Sequence, residues 1–267
     1  MMADRWTRMV RQQVGLGRFL PLGGPYDGAW IAERAASGVL RGAAERDVPE
    51  VRLGGVRIGL ADPGEAAEPA VPAPPSALPP GPLRLTAEFA ATAAWPLPET
   101  ASRLRTALAV TATERIGLDL TEVDLRITEL LDTEPPSSRP GTPETRGGTD
   151  TSGGAGMPGA AESEAARAPG SAGVAGAVGG GPEGERVAAV VLRVPGVSRL
   201  TGVWGLPVRL GEQAPASGDA LPRRHARVDL AVAAGFRPLE VARAVRAAVA
   251  EALPDRPTVA VLVTDLD

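Results

Sequence analysis

Cysteine, lysine and asparagine are absent from this chain, and histidine occurs once, at His225. Without cysteine there is no disulfide, no thiolate metal site and no thiol nucleophile. A single histidine excludes a poly-histidine metal site, and any Ser-His-Asp chemistry would have to run through His225 alone. Without lysine all 28 basic residues are arginine. Codons of a GC-rich genome produce that bias together with the wealth of Ala, Gly and Pro, so it does not mark a functional choice of Arg over Lys. Aromatic residues make up only 3% of the chain, which makes the expected core aliphatic and Ala-rich. The net charge of −4 argues against a surface built to grip phosphates. Apolar runs fall short of the roughly 18 residues that span a bilayer, and the N-terminus lacks the apolar stretch of a secretory signal. A cytoplasmic location is expected, with peripheral contact at the inner face of the cell membrane as a further expectation.

What is abundant is organised. Thirty-three glycines and 27 prolines concentrate in stretches without period. The longest, 134–184, has almost no large apolar residue and cannot bury enough surface to offset its ordering entropy; it reads as a disordered linker. Shorter Pro/Ala-rich loops occupy 62–82 and 211–224. On either side of the linker the chain repeats itself. Glu240, Ala242, Val245, Arg246 and Val249 fall on Glu99, Ala101, Leu104, Arg105 and Leu108; Val259, Val261, Val263, Thr264 and Asp265 fall on Val123, Leu125, Ile127, Thr128 and Glu129. Upstream, "VPGV" (194–197) matches "VPEV" (48–51).

One repeat can be read element by element. Ile31, Ala35, Val39 and Ala43 or Ala44 mark a first helix. Ala101, Leu104, Leu108 and Ala112, like Leu239, Ala242, Val245, Val249 and Leu253, keep the three- and four-residue spacing of an amphipathic helix. Pro96 and Pro238 suit helix entrances, and Pro254 ends the last helix. Val123, Leu125 and Ile127 alternate with polar residues as in a half-buried strand. Val259, Val261 and Val263 do so with Ala260 and Leu262 between them, which predicts deeper burial. Val51 to Leu53, Gly54-Gly55 and Val56 to Ile58 predict a hairpin with a Gly-Gly turn, a part that Trp204-Gly205 takes in the second copy. The expected fold is α+β: two copies of a two-layer module, helix-strand-strand-strand-helix-strand, with two helices on one face of a four-stranded sheet. The expected boundaries are a basic amphipathic segment at 1–22, a first module at 23–133, the linker at 134–184 and a second module at 185–267.

The order helix, "VPGV" (194–197), strands, "VARAVRAAV" (241–249) and "VAVLV" (259–263) resembles the alkaline shock protein family of bacterial envelope stress response proteins. The likeness covers most of 184–267 and, more weakly, 28–132. It departs from the family in having two modules, and in Trp95-Pro96 and Phe236-Arg237-Pro238 where the family often has Tyr-Gly. The resemblance implies a non-enzymatic role by self-association or by docking on a membrane-anchored protein partner.

Candidate sites are few. Trp6, Val10 and Val14 share one helical face with Met9 beside them, and Arg5, Arg8 and Arg11 add positive charge. Such a segment can lie on an anionic membrane or in a partner's groove, or pack on its own domain. Arg223, Arg224 and Arg227 surround His225 and could contact an anion, which is the basis of an alternative reading as a nucleic-acid-associated α+β module; the plainer reading is a solvated loop entering a strand. Asp265 and Asp267 with Glu129 and Asp132 could pair as carboxylates, but sit where strand ends meet water. "GLGRFLPLGGPYDG" (15–28) lacks the spacing of a phosphate loop. No catalytic residue, cofactor, metal or small-molecule substrate is expected, and nucleic acid is disfavoured as a partner.

Overall fold

The computed structural model describes residues 15–132, 181–202, 205–213 and 223–267. In chain order the elements are β1 (Phe19–Pro21), β2 (Ala29–Ala32), α1 (Glu33–Asp47), β3 (Val51–Leu60), β4 (Leu83–Thr92), α2 (Leu97–Val110), β5 (Leu120–Leu131), α3 (Gly181–Val191), β6 (Val197–Leu200), β7 (Val208–Gln213), β8 (Arg223–Val232), α4 (Pro238–Ala252) and β9 (Thr258–Leu266). They make a mixed α+β fold with two sheets.

The first sheet runs β3-β4-β5. Strand β3 is antiparallel to β4, and β4 is parallel to β5 through the crossover helix α2. Along β4, Leu83, Leu85, Ala87 and Phe89 are buried while Arg84, Thr86 and Glu88 are exposed. That alternation is the mark of a sheet with one solvated face. Helices α1 and α2 pack against β3 and β5, and α2 buries Leu104 and Leu108, each contributing about 1.5–3 kcal/mol.

The second sheet has the order β1-β2-β9-β8-β6, with β7 also on β8. Its centre repeats the same logic: β8 is parallel to β9 through α4, and β6 and β7 are antiparallel to β8. Helix α4 buries Leu239, Val241, Ala242, Val245 and Val249. Local detail recurs as well. Val51 N–H donates to Val48 O at 3.1 Å, and Val197 N–H to Val194 O at 3.1 Å; Thr92 N–H donates to Glu50 O, and Ala233 N–H to Gly196 O.

Several expectations need correction. Gly54-Gly55 is not a hairpin turn. β3 runs through it as a bulge, since Leu53 faces Phe89 and Val56 faces Ala87, leaving both glycines opposite Glu88 alone. In the second half β6 and β7 follow one another along β8 instead of pairing, and Trp204 of the expected Trp204-Gly205 turn lies outside the described residues. Among the described residues the first sheet therefore has three strands, not four, and in the second β6 and β7 share one position beside β8, with β1 and β2 added past β9. Ile31 is not in the first helix but in β2, and Phe19–Pro21, inside the expected amphipathic segment, is a strand. Most of the expected linker lies outside the described residues, but Gly181 to Gly184 belong to α3.

The halves also share a sheet. β2 pairs parallel with β9, Ala29 to Val261 and Ile31 to Val263, and β1 pairs with β2. Trp30 is buried at this seam and donates its indole N–H to Leu78 O at 3.4 Å. The 62–82 loop lies along β1, where Phe19 N–H donates to Ser76 O and Leu78 N–H to Phe19 O. Past α2, a π-helical turn over Thr111–Ile116 ends at Gly117, whose φ is +99°. A Cβ there would meet the Leu239 side chain at 2.5 Å, so glycine allows α4 to approach. One apolar core runs through both halves.

Candidate interaction surface

Trp6, Met9, Val10, Val14, Arg5, Arg8 and Arg11 lie outside the described residues. The arginine cluster is divided by the strand that carries it, because neighbouring residues of β8 point to opposite faces. Arg224 pairs with Glu183 of α3, and with Asp255 at 3.4 Å. Arg227 pairs at 3.2 Å with Asp229, which is fully buried. Arg223 opens the strand. His225 Nδ1 meets Thr258 Oγ1 at 2.9 Å. Burial, and then the charge of Arg227, push the imidazole below its ordinary value, which favours the neutral ring. Asp265 and Asp267 do not face each other across a vacant site: Arg199 bonds both, at 2.6 Å each, and ties the end of β9 to β6. Glu129 is exposed. Among the described residues no group of three or more His, Cys, Asp or Glu is placed to hold a metal ion. The turn at 23–27 presents its Gly24 N–H to the Asp27 carboxylate at 2.8 Å, which suits it to that acid.

The cleft between the halves, about 480 Å³, is lined by Arg46, Arg115, Arg237, Glu114, Phe236 and Asp267 among others. Its charges are mixed. Arg46 pairs with Asp47, and Arg237 reaches Glu240 and the Thr113 carbonyl. Phe236 is 48% exposed at its rim. Trp95 stands at the corresponding turn of the first half, 51% exposed, with the Arg103 guanidinium 5.9 Å from its ring centre. The difference beneath them explains "VPGV" and "VPEV". Gly196 has φ +90°, and a Cβ there would come within 2.7 Å of Phe236 and Val241. Glu50 in the first half instead sends its carboxylate to Arg103, the arginine that also lies over Trp95.

The most unusual surface is the outer edge of β5, which among the described residues has β4 on one side only. Pro82 O accepts from Ala61 N–H, so even-numbered residues of β4 address β3. Leu83 N–H donates to Asp119 O, so odd-numbered ones address β5. With Leu85 facing Val123 and Ala87 facing Leu125, the even residues of β5 close that ladder. The N–H and C=O groups of Val123, Leu125 and Ile127 are thereby turned to the outer edge. Arg105 of α2 confirms the direction, donating Nε–H to Val123 O at 3.2 Å. Ile127 is 39% and Leu130 56% exposed. On the solvated face Arg84 pairs with Glu122 at 2.6 Å and with Asp124 at 3.7 Å.

The matching edge of β9 is covered. Val261, the counterpart of Leu125, donates its N–H to Gly28 O at 3.0 Å as β2 joins the sheet. Arg246, the counterpart of Arg105, donates Nε–H to Val259 O at 3.0 Å and also reaches Tyr26 O at 2.8 Å on the chain entering β2. The sequence repeat aligned these two arginines but not their common role. The signal for the edge was present in Glu122, Asp124 and Arg126, charges spaced by two along β5 where β9 has Ala260 and Leu262. No protein-family model, curated protein or solved structure matches this chain. Among the described residues no helix is long and apolar enough to cross a membrane.

Proposed function

We propose that this protein is a non-catalytic scaffold, formed by duplication of an alkaline-shock-like module, that acts by self-association or by docking on a membrane-anchored partner at the inner face of the cell envelope. The observation that carries this reading is the β5 edge, uncovered among the described residues, a twelve-residue strand with outward backbone groups and exposed Ile127 and Leu130. An unpaired edge of that length is a template for another strand. The recurrence of the crossover, of the Val-Pro turn and of the Arg–carbonyl contact supports the duplication. The nucleic-acid reading gains nothing from Arg224 and Arg227, whose charges are met by Glu183, Asp255 and Asp229.

The test is light scattering over a concentration series together with co-sedimentation on native membranes, using the full chain and one lacking residues 1–20. The scaffold reading expects concentration-dependent oligomers, membrane recovery that weakens in the shortened chain, or both. A monomer that stays in the supernatant contradicts it.

A further inference from the structure

The scaffold reading leaves open what meets the β5 edge, and the residues along that edge select an occupant. Two copies of β5 related by a twofold axis pair antiparallel, so the sum of facing residue numbers is constant. Centring the axis on Val123 sets Glu122 against Asp124, two like charges. Centring it on Arg126 sets arginine against arginine. Centring it on Leu125 sets Asp124 of each copy against Arg126 of the other, Val123 against Ile127, Glu122 against Thr128, and Leu125 against itself. Facing opposite charges stabilise an antiparallel pair and facing like charges oppose it.

Backbone geometry allows an axis on an outward residue, Val123, Leu125 or Ile127, and rules out Arg126; of the three, only Leu125 sets opposite charges face to face. Hydrogen-bonded pairs in an antiparallel ladder are made by residues whose N–H and C=O point to the partner. Those residues in β5 are Val123, Leu125 and Ile127, the ones that face each other about Leu125. The side-chain faces agree as well. Val123 and Leu125 pack on the core while Asp124 and Arg126 are exposed, so pairing extends the apolar face and the charged face of the sheet alike. Arg105 is no obstacle, because a carbonyl oxygen has two lone pairs, and Arg246 makes the same contact on β9 next to an added strand. We propose that this chain dimerises by antiparallel pairing of β5 with β5 of a second copy, in register about Leu125. This joins two three-stranded sheets into one of six, in the weak and concentration-dependent class that a small interface gives.

The absence of cysteine allows a direct probe. In the full chain, Leu125→Cys places two thiols across the axis at a Cα separation of about 5.5 Å, within the range a disulfide bridges. Diamide takes up the two electrons and two protons that the thiols lose. Glu122→Cys, whose facing residue is Thr128, is the control. Rapid dimer crosslinking of Leu125→Cys and not of Glu122→Cys is expected. Alongside, sedimentation velocity compares the unmodified chain with R126D, D124R and an equimolar mixture of the two. Each single reversal sets like charges opposite each other at both pairs and raises the dissociation constant at least about tenfold. The mixture restores opposite charges at both pairs and recovers the dimer. A dimer unaffected by either reversal, or singles that weaken it without recovery on mixing, overturns the register and leaves the scaffold reading standing. A monomer that still recovers with membranes overturns self-pairing alone and points to a foreign strand on this edge. A monomer that does neither overturns both.

Discussion

Among the described residues, strand β9 has β8 on one side and β2 on the other, and β5 has β4 alone. Both close a strand-helix-strand crossover, and both take an arginine Nε–H from their helix on an outward carbonyl. Their residues follow their neighbours. β9 is buried from Val259 to Thr264, on both faces, with Ala260 and Leu262 between the valines. β5 keeps apolar side chains on one face and carries Glu122, Asp124 and Arg126 on the other, with no position fully buried. The same strand-helix-strand pattern thus yields a central strand where β2 is supplied as a neighbour and, among the described residues, an edge at β5. An edge with facing charges of both signs is selective about what joins it.

The largest expected effect comes from breaking the seam that makes β9 central. Trp30→Ala removes a buried indole between β2 and the 62–82 loop and costs about 3–5 kcal/mol, read from urea unfolding. Next is an exchange of turn residues between the halves. Gly196→Glu installs the residue of the first half at φ +90° against Phe236 and Val241, and costs about 2–4 kcal/mol, whereas Glu50→Gly loses the Arg103 ion pair and costs less. Equal losses for the two exchanges would contradict the account of that turn. A third comparison uses matched alanines. Ala242 is fully buried on α4 while Ala101 is partly exposed on α2. Ala242→Leu costs about 1–3 kcal/mol by overpacking and Ala101→Leu less, seen as unequal drops in melting temperature.

The smallest effect concerns Asp27, which bonds Arg243 of α4 at 2.8 and 3.2 Å. Burial alone would raise its pKa; the Arg243 bond, the Gly24 N–H and the charges of Arg243 and Arg246 outweigh it and hold the carboxylate below its ordinary 3.8. A depressed folded value stabilises the protein at pH above 3.8, and that contribution is lost as pH falls from there through the folded value. Asp27→Asn should cost about 1 kcal/mol at neutral pH, Arg243 being half exposed. The gap between variant and parent closes on acidification; a gap that persists at pH 2 would exclude the ion pair as its source.

Much of the module was legible because its signals are local. The spacing of Leu104 and Leu108, the alternation at 123–127 and the doubly apolar run at 259–263 each name their element and its burial. Gly54-Gly55 was ambiguous because two glycines suit a turn and a bulge equally. Only the register against Phe89 and Ala87 decides between them, and that is set across the sheet. The seam was invisible for a similar reason. Ala29–Ala32 leads into α1 with no break, and its partner lies at 261–263, so nothing nearby distinguishes strand from helix start. The β5 edge had its charges in plain view, but whether β5 was central or terminal depended on where β2 went. Arg224 and Arg227 looked like one patch in a linear reading; the alternation of β8 sends them to opposite faces.

Amide hydrogen exchange on the full chain, followed residue by residue from low to high protein concentration, tests the central contrast most directly. Val261 should be protected throughout, as its N–H lies in the β2 seam. Val123, Leu125 and Ile127 should exchange fast in dilute protein and become protected as concentration rises and two β5 edges meet. Protection of those three amides that does not change with concentration, whether complete or absent, would contradict the account.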